Sequence, residues 1–190
     1  MSSPQTFRSR LAQALAVLTA VVGVAALAAF VRESGPTAFL TTLAPVALVV
    51  AAGWALFWNP RAEVSDDGVT LVNVARTVHV PWNRFAHADT RWALSVTTTQ
   101  DVTYTSWAVP AGSGFAARMV PSRRQHGEWA PAQRKLASTG TAEAAALEIA
   151  ERVRSRRHRG EGDVVVTANR RVLAVLGGLA VLAALSVALT

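Results

Sequence analysis

Three long stretches of this chain carry no charge and almost no polar side chains: Leu11–Val31, Thr37–Trp58 and Val172–Thr190. Each is long enough to cross about 30 Å of hydrocarbon as an α-helix. Between the second and third stretch the pattern changes to short alternations. Arg61-Ala62-Glu63-Val64-Ser65 leads into Asp66-Asp67-Gly68, a strong turn signal. Val69–Val74 then places apolar residues at 69, 71 (and 72) and 74, and Thr77–Pro81 alternates with Val78 and Val80 on one face, as short strands do. Pro81 has no N–H for a ladder, so it ends the third strand or marks an edge. Trp82-Asn83-Arg84-Phe85 reads as an apolar wedge and a bend into the next sheet. Arg91–Thr98 and Val102–Val109 are two more strands, with Thr99-Gln100-Asp101 as the turn between them.

Beyond Pro110 the periodicity stops. Residues 110–139 hold scattered Gly and Pro and form an irregular insert, with an irregular strand at Phe115–Val120 as one option. Thr141–Arg157 is an amphipathic helix. Thr139 or Thr141 caps it, and Ala146, Ile149, Ala150 and Val153 form its apolar stripe. Glu148 and Arg152 are spaced as an i,i+4 ion pair. Val164–Thr167 is either a last strand or a linker, and the linker is the preferred reading.

The expected organisation is therefore a tail at 1–10, membrane helices at 11–31 and 37–58, a domain at 59–160, a linker at 161–171 and a third membrane helix at 172–190. The fold class is a membrane-anchored α+β protein: an antiparallel β domain with a C-terminal helix, plus three transmembrane helices. Pro45 inside the second run implies a kink that neighbouring helices satisfy. Trp54 and Trp58 suit the headgroup level of a bilayer. Small residues four apart (Ala16/Ala20, Ala25/Ala29, Ala174/Gly178, Ala180/Ala184) would allow close helix packing.

Charge orients this frame. The formal net charge is +7. Arg8 and Arg10 precede the first run, Arg61 follows the second, and Arg170 and Arg171 precede the third, whereas the link Arg32-Glu33-Ser34-Gly35-Pro36 is neutral. Basic flanks mark the cytoplasmic side. The expectation is a multi-pass protein of the cytoplasmic membrane, with tail and domain cytoplasmic and the C-terminus outside. A rival reading takes residues 1–28 as a cleaved signal peptide ending at Ala26-Leu27-Ala28. The run is long for a signal core, and A-x-A is common in an alanine-rich helix.

The hairpin ending in Trp58-Asn59-Pro60-Arg61, then Asp67-Gly68-Val69, then Val80-Pro81-Trp82, then a C-terminal helix, follow one another in an order that resembles a known family. It is the small bacterial pleckstrin-homology-like (PH-like) domain found in actinobacterial membrane proteins of the low-molecular-weight-antigen type. The resemblance covers roughly residues 59–157 and the hairpin before them. The third helix and the 110–139 insert depart from the simplest family layout. The resemblance implies a PH-like fold and no catalytic residues.

Chemistry adds little beyond this. There is no cysteine, which excludes disulfides and thiolate chemistry. His79, His87, His126 and His158 have neither metal spacing nor a carboxylate cluster, and His79 is expected to face solvent. Asp66-Asp67-Gly68 lacks the further ligands of a calcium loop. Gly112-Ser113-Gly114 is not followed by the Gly-Lys-Ser/Thr of a phosphate loop. The uncharged runs lack the buried ionisable groups of a proton or ion pathway. No cofactor, no metal, no enzyme activity and no nucleic-acid partner are expected.

The candidate binding surface is the basic, aromatic insert. Arg118, Arg123, Arg124, Arg134 and Lys135, with Trp129 among them, could rest on anionic lipid headgroups or hold a membrane protein partner. The function expected is a non-enzymatic binding or scaffold module at the membrane. The alternative is an auxiliary subunit of a transporter or envelope-biogenesis complex.

Overall fold

The structure is a computed structural model that describes residues 4–90, 92–110, 142–154 and 161–188. The chain divides into two units. Residues 1–10 and 60–167 form one, and 11–59 with 168–190 form the other.

The first unit is built on two antiparallel sheets. Strands β1 (Gln5–Phe7), β2 (Arg61–Val64), β3 (Gly68–Val72), β4 (Arg76–Pro81) and β8 (Val165–Ala168) make a five-stranded sheet in the order β1-β2-β3-β4-β8. Strands β5 (Phe85–Asp89), β6 (Ala93–Thr98) and β7 (Thr103–Pro110) make a three-stranded sheet in sequence order. Helix α3 (Ala142–Arg154) packs against β2, β5 and β6.

The meander β2-β3-β4 follows directly from the alternation. Ala62, Val64, Val69, Leu71, Val78 and Val80 all point into one core with Phe7, Leu94, Val96 and Ile149. The β2–β3 turn needs a glycine for space. A Cβ on Gly68 would lie 2.3 Å from the Val80 carbonyl oxygen and 2.8 Å from the Pro81 Cα, both backbone atoms that cannot swing away. After Pro81, a single 3₁₀ turn (Trp82–Arg84) drops the Trp82 ring into the core. Its Nε1–H donates to the Ser65 carbonyl at 3.1 Å, and the ring meets Phe85 edge-on at 5.5 Å. The polar end of the indole is thus satisfied while the ring is buried.

Four elements differ from the sequence reading. Residues 1–10 are expected as a tail, yet Gln5–Phe7 is a strand registered on β2, Phe7 opposite Ala62, with Phe7 buried. The bend expected at Trp82–Phe85 ends at Arg84, and Phe85–Asp89 is an edge strand; a register shift between Phe85 and His87 breaks the alternation that would announce it. Val165–Ala168 is a strand on the edge of the larger sheet and not only a linker. The buried face of α3 is also rotated: Ala142, Ala145, Ile149 and Arg152 are buried, while Ala150 and Val153 are exposed. The apolar stripe misled because an arginine occupies the inner face. Arg152 is tolerated there because its charge is paired, as described below.

The second unit holds α1 (Arg10–Ser34), α2 (Thr37–Gly53), which carries on as a π-helical turn (Trp54–Trp58), and α4 (Arg170–Ala188). The π turn closes on a bond from the Asn59 N–H to the Trp54 carbonyl, 2.9 Å. Three helical spans, Arg10–Ser34, Phe39–Trp58 and Arg170–Ala188, are long and apolar enough to cross a membrane. Glycines of α1 and α2 face side chains of the other helix. A Cβ on Gly23 would lie 2.7 Å from Val50 Cγ2, and one on Gly53 would lie 2.8 Å from Thr19 Cγ2. By contrast, nothing lies within 4 Å of a Cβ placed on Gly177 or Gly178 of α4.

Candidate functional site

The residues named as the binding surface, Arg118, Arg123, Arg124, Trp129, Arg134 and Lys135, lie outside the described residues. So do the proposed strand at Phe115–Val120 and the histidines His126 and His158. The described residues offer three other places with notable chemistry.

The first is an ion-pair cluster under α3. The Arg152 side chain is 7 % exposed. Its NH1 donates to Asp66 Oδ1 at 2.7 Å and its Nε to Glu148 Oε1 at 2.8 Å. The i,i+4 pair with Glu148 was expected from spacing. The pair with Asp66 joins the helix to the β2–β3 turn and has no sequence signal, because the partners are far apart in the chain. Asp66 therefore does more than shape a turn. One guanidinium pairs with both carboxylates, so this arrangement holds the helix on the sheets.

The second is the outer face of the three-stranded sheet. Ser95 and Thr105 share a hydroxyl hydrogen bond at 3.0 Å, and Thr97 and Thr103 share another at 2.9 Å. Beside these rungs, Trp107 on β7 is 68 % exposed, and Trp92, just before β6, is 85 % exposed. The edge of β7 is held by Asn73 from the β3–β4 turn. Its Nδ2 donates to the Thr105 carbonyl at 2.9 Å, and its Oδ1 accepts from the Trp107 N–H at 2.7 Å. One side-chain amide thus takes the place of a backbone partner and ties the two sheets together. Near the same turn the Arg76 guanidinium lies over the Tyr104 ring, 5.9 Å from its centre.

The third is a shallow groove on the helical unit, lined by Gln13, Ala14, Val17, Leu18, Val21 and Trp58. Gln13 and the Trp58 indole N–H are the polar groups among these, so the groove has mainly the character of an apolar contact surface.

Two histidines lie among the described residues. His79 sits half-buried on β4, its Nδ1 bonded to Thr70 Oγ1 across the strand pair at 2.8 Å, rather than facing solvent freely. His87 is exposed on β5. Among the described residues no three His, Asp or Glu side chains gather as a metal site would require.

Residues 59–128 match the family model of the bacterial PH domain. No curated protein and no solved structure matches the chain. Together with two antiparallel sheets and the helix that follows them, this match means that the chain carries a bacterial PH-like domain. The matched segment contains β2 to β7; β1, α3 and β8 lie outside it.

Proposed function

We propose that the chain is a non-enzymatic, multi-pass protein of the cytoplasmic membrane that presents its PH-like domain as a binding or scaffold module at the cytoplasmic face. The observation that carries this reading is the pairing of β1 with β2. These strands flank the α1–α2 hairpin in sequence, so they can pair only if the hairpin returns the chain to the side it left. Two crossings do that, and the basic flanks Arg8, Arg10 and Arg61 favour the cytoplasm for that side. A third crossing by α4 then leaves the C-terminus outside.

The same pairing weighs against removal of residues 1–28. Cleavage after Ala28 would take away β1 and its buried Phe7. Anionic headgroups, or an acidic partner, remain the ligands that Arg118, Arg123, Arg124, Trp129, Arg134 and Lys135 would suit. A second reading, an auxiliary subunit of a transporter or envelope-biogenesis complex, is favoured by one observation. The open backbone at Gly177 and Gly178 is a place where a partner's helix could approach closely.

Reporter fusions test the orientation. A reporter active only outside the cytoplasm should be silent when fused after Pro110 and active after Gly35 and after Thr190. The reverse pattern would overturn the reading.

A further inference from the structure

Two indoles of this domain, Trp92 before β6 and Trp107 on β7, stand exposed. Trp92 and Trp107 are 85 % and 68 % exposed, while Leu94, Val96 and Ser106 fill the inner face of the same strands. The β6–β7 register, Ala93 opposite Pro110 and Ser95 opposite Thr105, carries both tryptophans toward one end of the sheet. The opposite end is the Thr99–Asp101 turn, where the Asp101 N–H bonds the Thr98 carbonyl.

The strand ladders identify which end of the domain this is. Asn73 binds Thr105 and Trp107, and Asn73 follows Val72, the register partner of Arg61. Arg61 is the first residue of β2, and only Asn59 and Pro60 separate it from the last turn of the second long helix. Phe7, opposite Ala62, is likewise separated from α1 only by Arg8 and Ser9. The tryptophans thus sit at the end of the sheets from which the chain leaves for both of its first two long helices. Two residues of chain span at most about 7 Å.

We propose that Trp92 and Trp107 form a second, non-covalent membrane contact, seating this end of the domain in the interfacial zone of the bilayer that holds the helices. The inference rests on the reading that those helices span a membrane. The chemistry fits the zone: an indole has an apolar body and an N–H donor, and it prefers the headgroup level to water or hydrocarbon. The same end carries Arg8, Arg10 and Arg76, besides Arg61, which is paired with Glu63, and cations there suit an anionic leaflet. The two indoles would add a headgroup contact to the covalent link between the domain and its helices.

The test uses the full chain reconstituted in vesicles of phosphatidylethanolamine and phosphatidylglycerol. Trp92→Phe/Trp107→Phe keeps an aromatic ring at each position, and the emission it removes reports these two indoles. That component should be quenched at least about threefold more strongly by a lipid with a nitroxide headgroup than by aqueous iodide, as for a ring at headgroup depth. Quenching by iodide but not by the nitroxide lipid would place the rings in water and overturn the proposal. Protection from both would mean that protein covers them, and would overturn it equally. Trp54→Phe/Trp58→Phe supplies the control. If Trp54 and Trp58 respond to the nitroxide lipid while Trp92 and Trp107 do not, only this inference fails. If none of the four responds, the membrane-spanning reading fails and this inference falls with it.

Discussion

In the PH-like domain, Val64, Val69, Leu71, Val78, Val80, Leu94 and Val96 are closed off from solvent. In the long helices the same residue types face outward. Leu40 is 75 % exposed, Leu11 70 %, and Val21, Val22, Val175 and Val181 are all more than half exposed. What lies inside the helical unit is small: Ala16, Gly23, Ala55 and Ala183. Leucine and valine drive the domain's core because water is the alternative. Against hydrocarbon that drive vanishes, and helices associate through close backbone approach instead. One chain thus packs by filling volume in one unit and by removing side chains in the other.

This contrast can be broken from either side. The largest effect is expected at Leu71→Ala. It should cost about 3 kcal/mol, within the usual range for an aliphatic residue cut back in a tight core, and should lower the thermal unfolding midpoint of the domain. Gly68→Ala should cost about 2 kcal/mol by the opposite mechanism, because the new Cβ meets the backbone of Val80 and Pro81. Near-wild-type melting of either variant would contradict the packing described.

Arg152 sharpens the comparison, since it is a charge on the filled-volume side. Arg152→Ala should cost about 2 kcal/mol, because Asp66 and Glu148 lose their shared partner while remaining partly buried. In Asp66→Asn/Glu148→Gln/Arg152→Met the loss should be less than about 1 kcal/mol, since no unpaired charge is left. Chemical denaturation of the set distinguishes the pair's geometry from simple packing.

In the helices the sign of the rule reverses. Gly23→Leu should weaken α1–α2 association by roughly 1–3 kcal/mol, because the side chain must displace Val50 and Val46. Val22→Ala, one position away but 57 % exposed, should change it by less than about 0.5 kcal/mol. Titration of the full chain with a denaturing detergent measures both. Equal effects at the two positions would mean that the glycine contact is not the determinant.

Much of this was legible in the sequence for physical reasons. The uncharged runs needed only length, and β2, β3 and β4 needed only alternation and the Asp-Gly turn. β1 is three residues with one buried side chain, too short for any period to register. β5, with the sequence Phe-Ala-His-Ala-Asp, has no β-branched residue, pairs on one side only and is bulged. The face of α3 is hidden in the sequence because a polar residue lies on its inner side: Arg152 is buried by partners on another element and on its own preceding turn. The tryptophan end was not legible at all. Trp92 looked like one more apolar position of a strand, and only the ladder from Arg61 through Val72 and Asn73 to Trp107 connects it to the helix exits. Asn73 has no pattern that announces its bond to β7.

The β1–β2 pair also bears on how the protein is made. Phe7 leaves the ribosome well before Ala62, the residue it will face, and the whole α1–α2 hairpin is synthesised in between. The larger sheet therefore cannot be completed until both helices are in place. If only one of them entered the bilayer, β1 and β2 would be stranded on opposite faces, and the gap left by Phe7 would stay open. If α1 and α2 span the membrane as proposed, completion of the sheet depends on both crossings, because a chain with only one would leave the edge of β2 without β1.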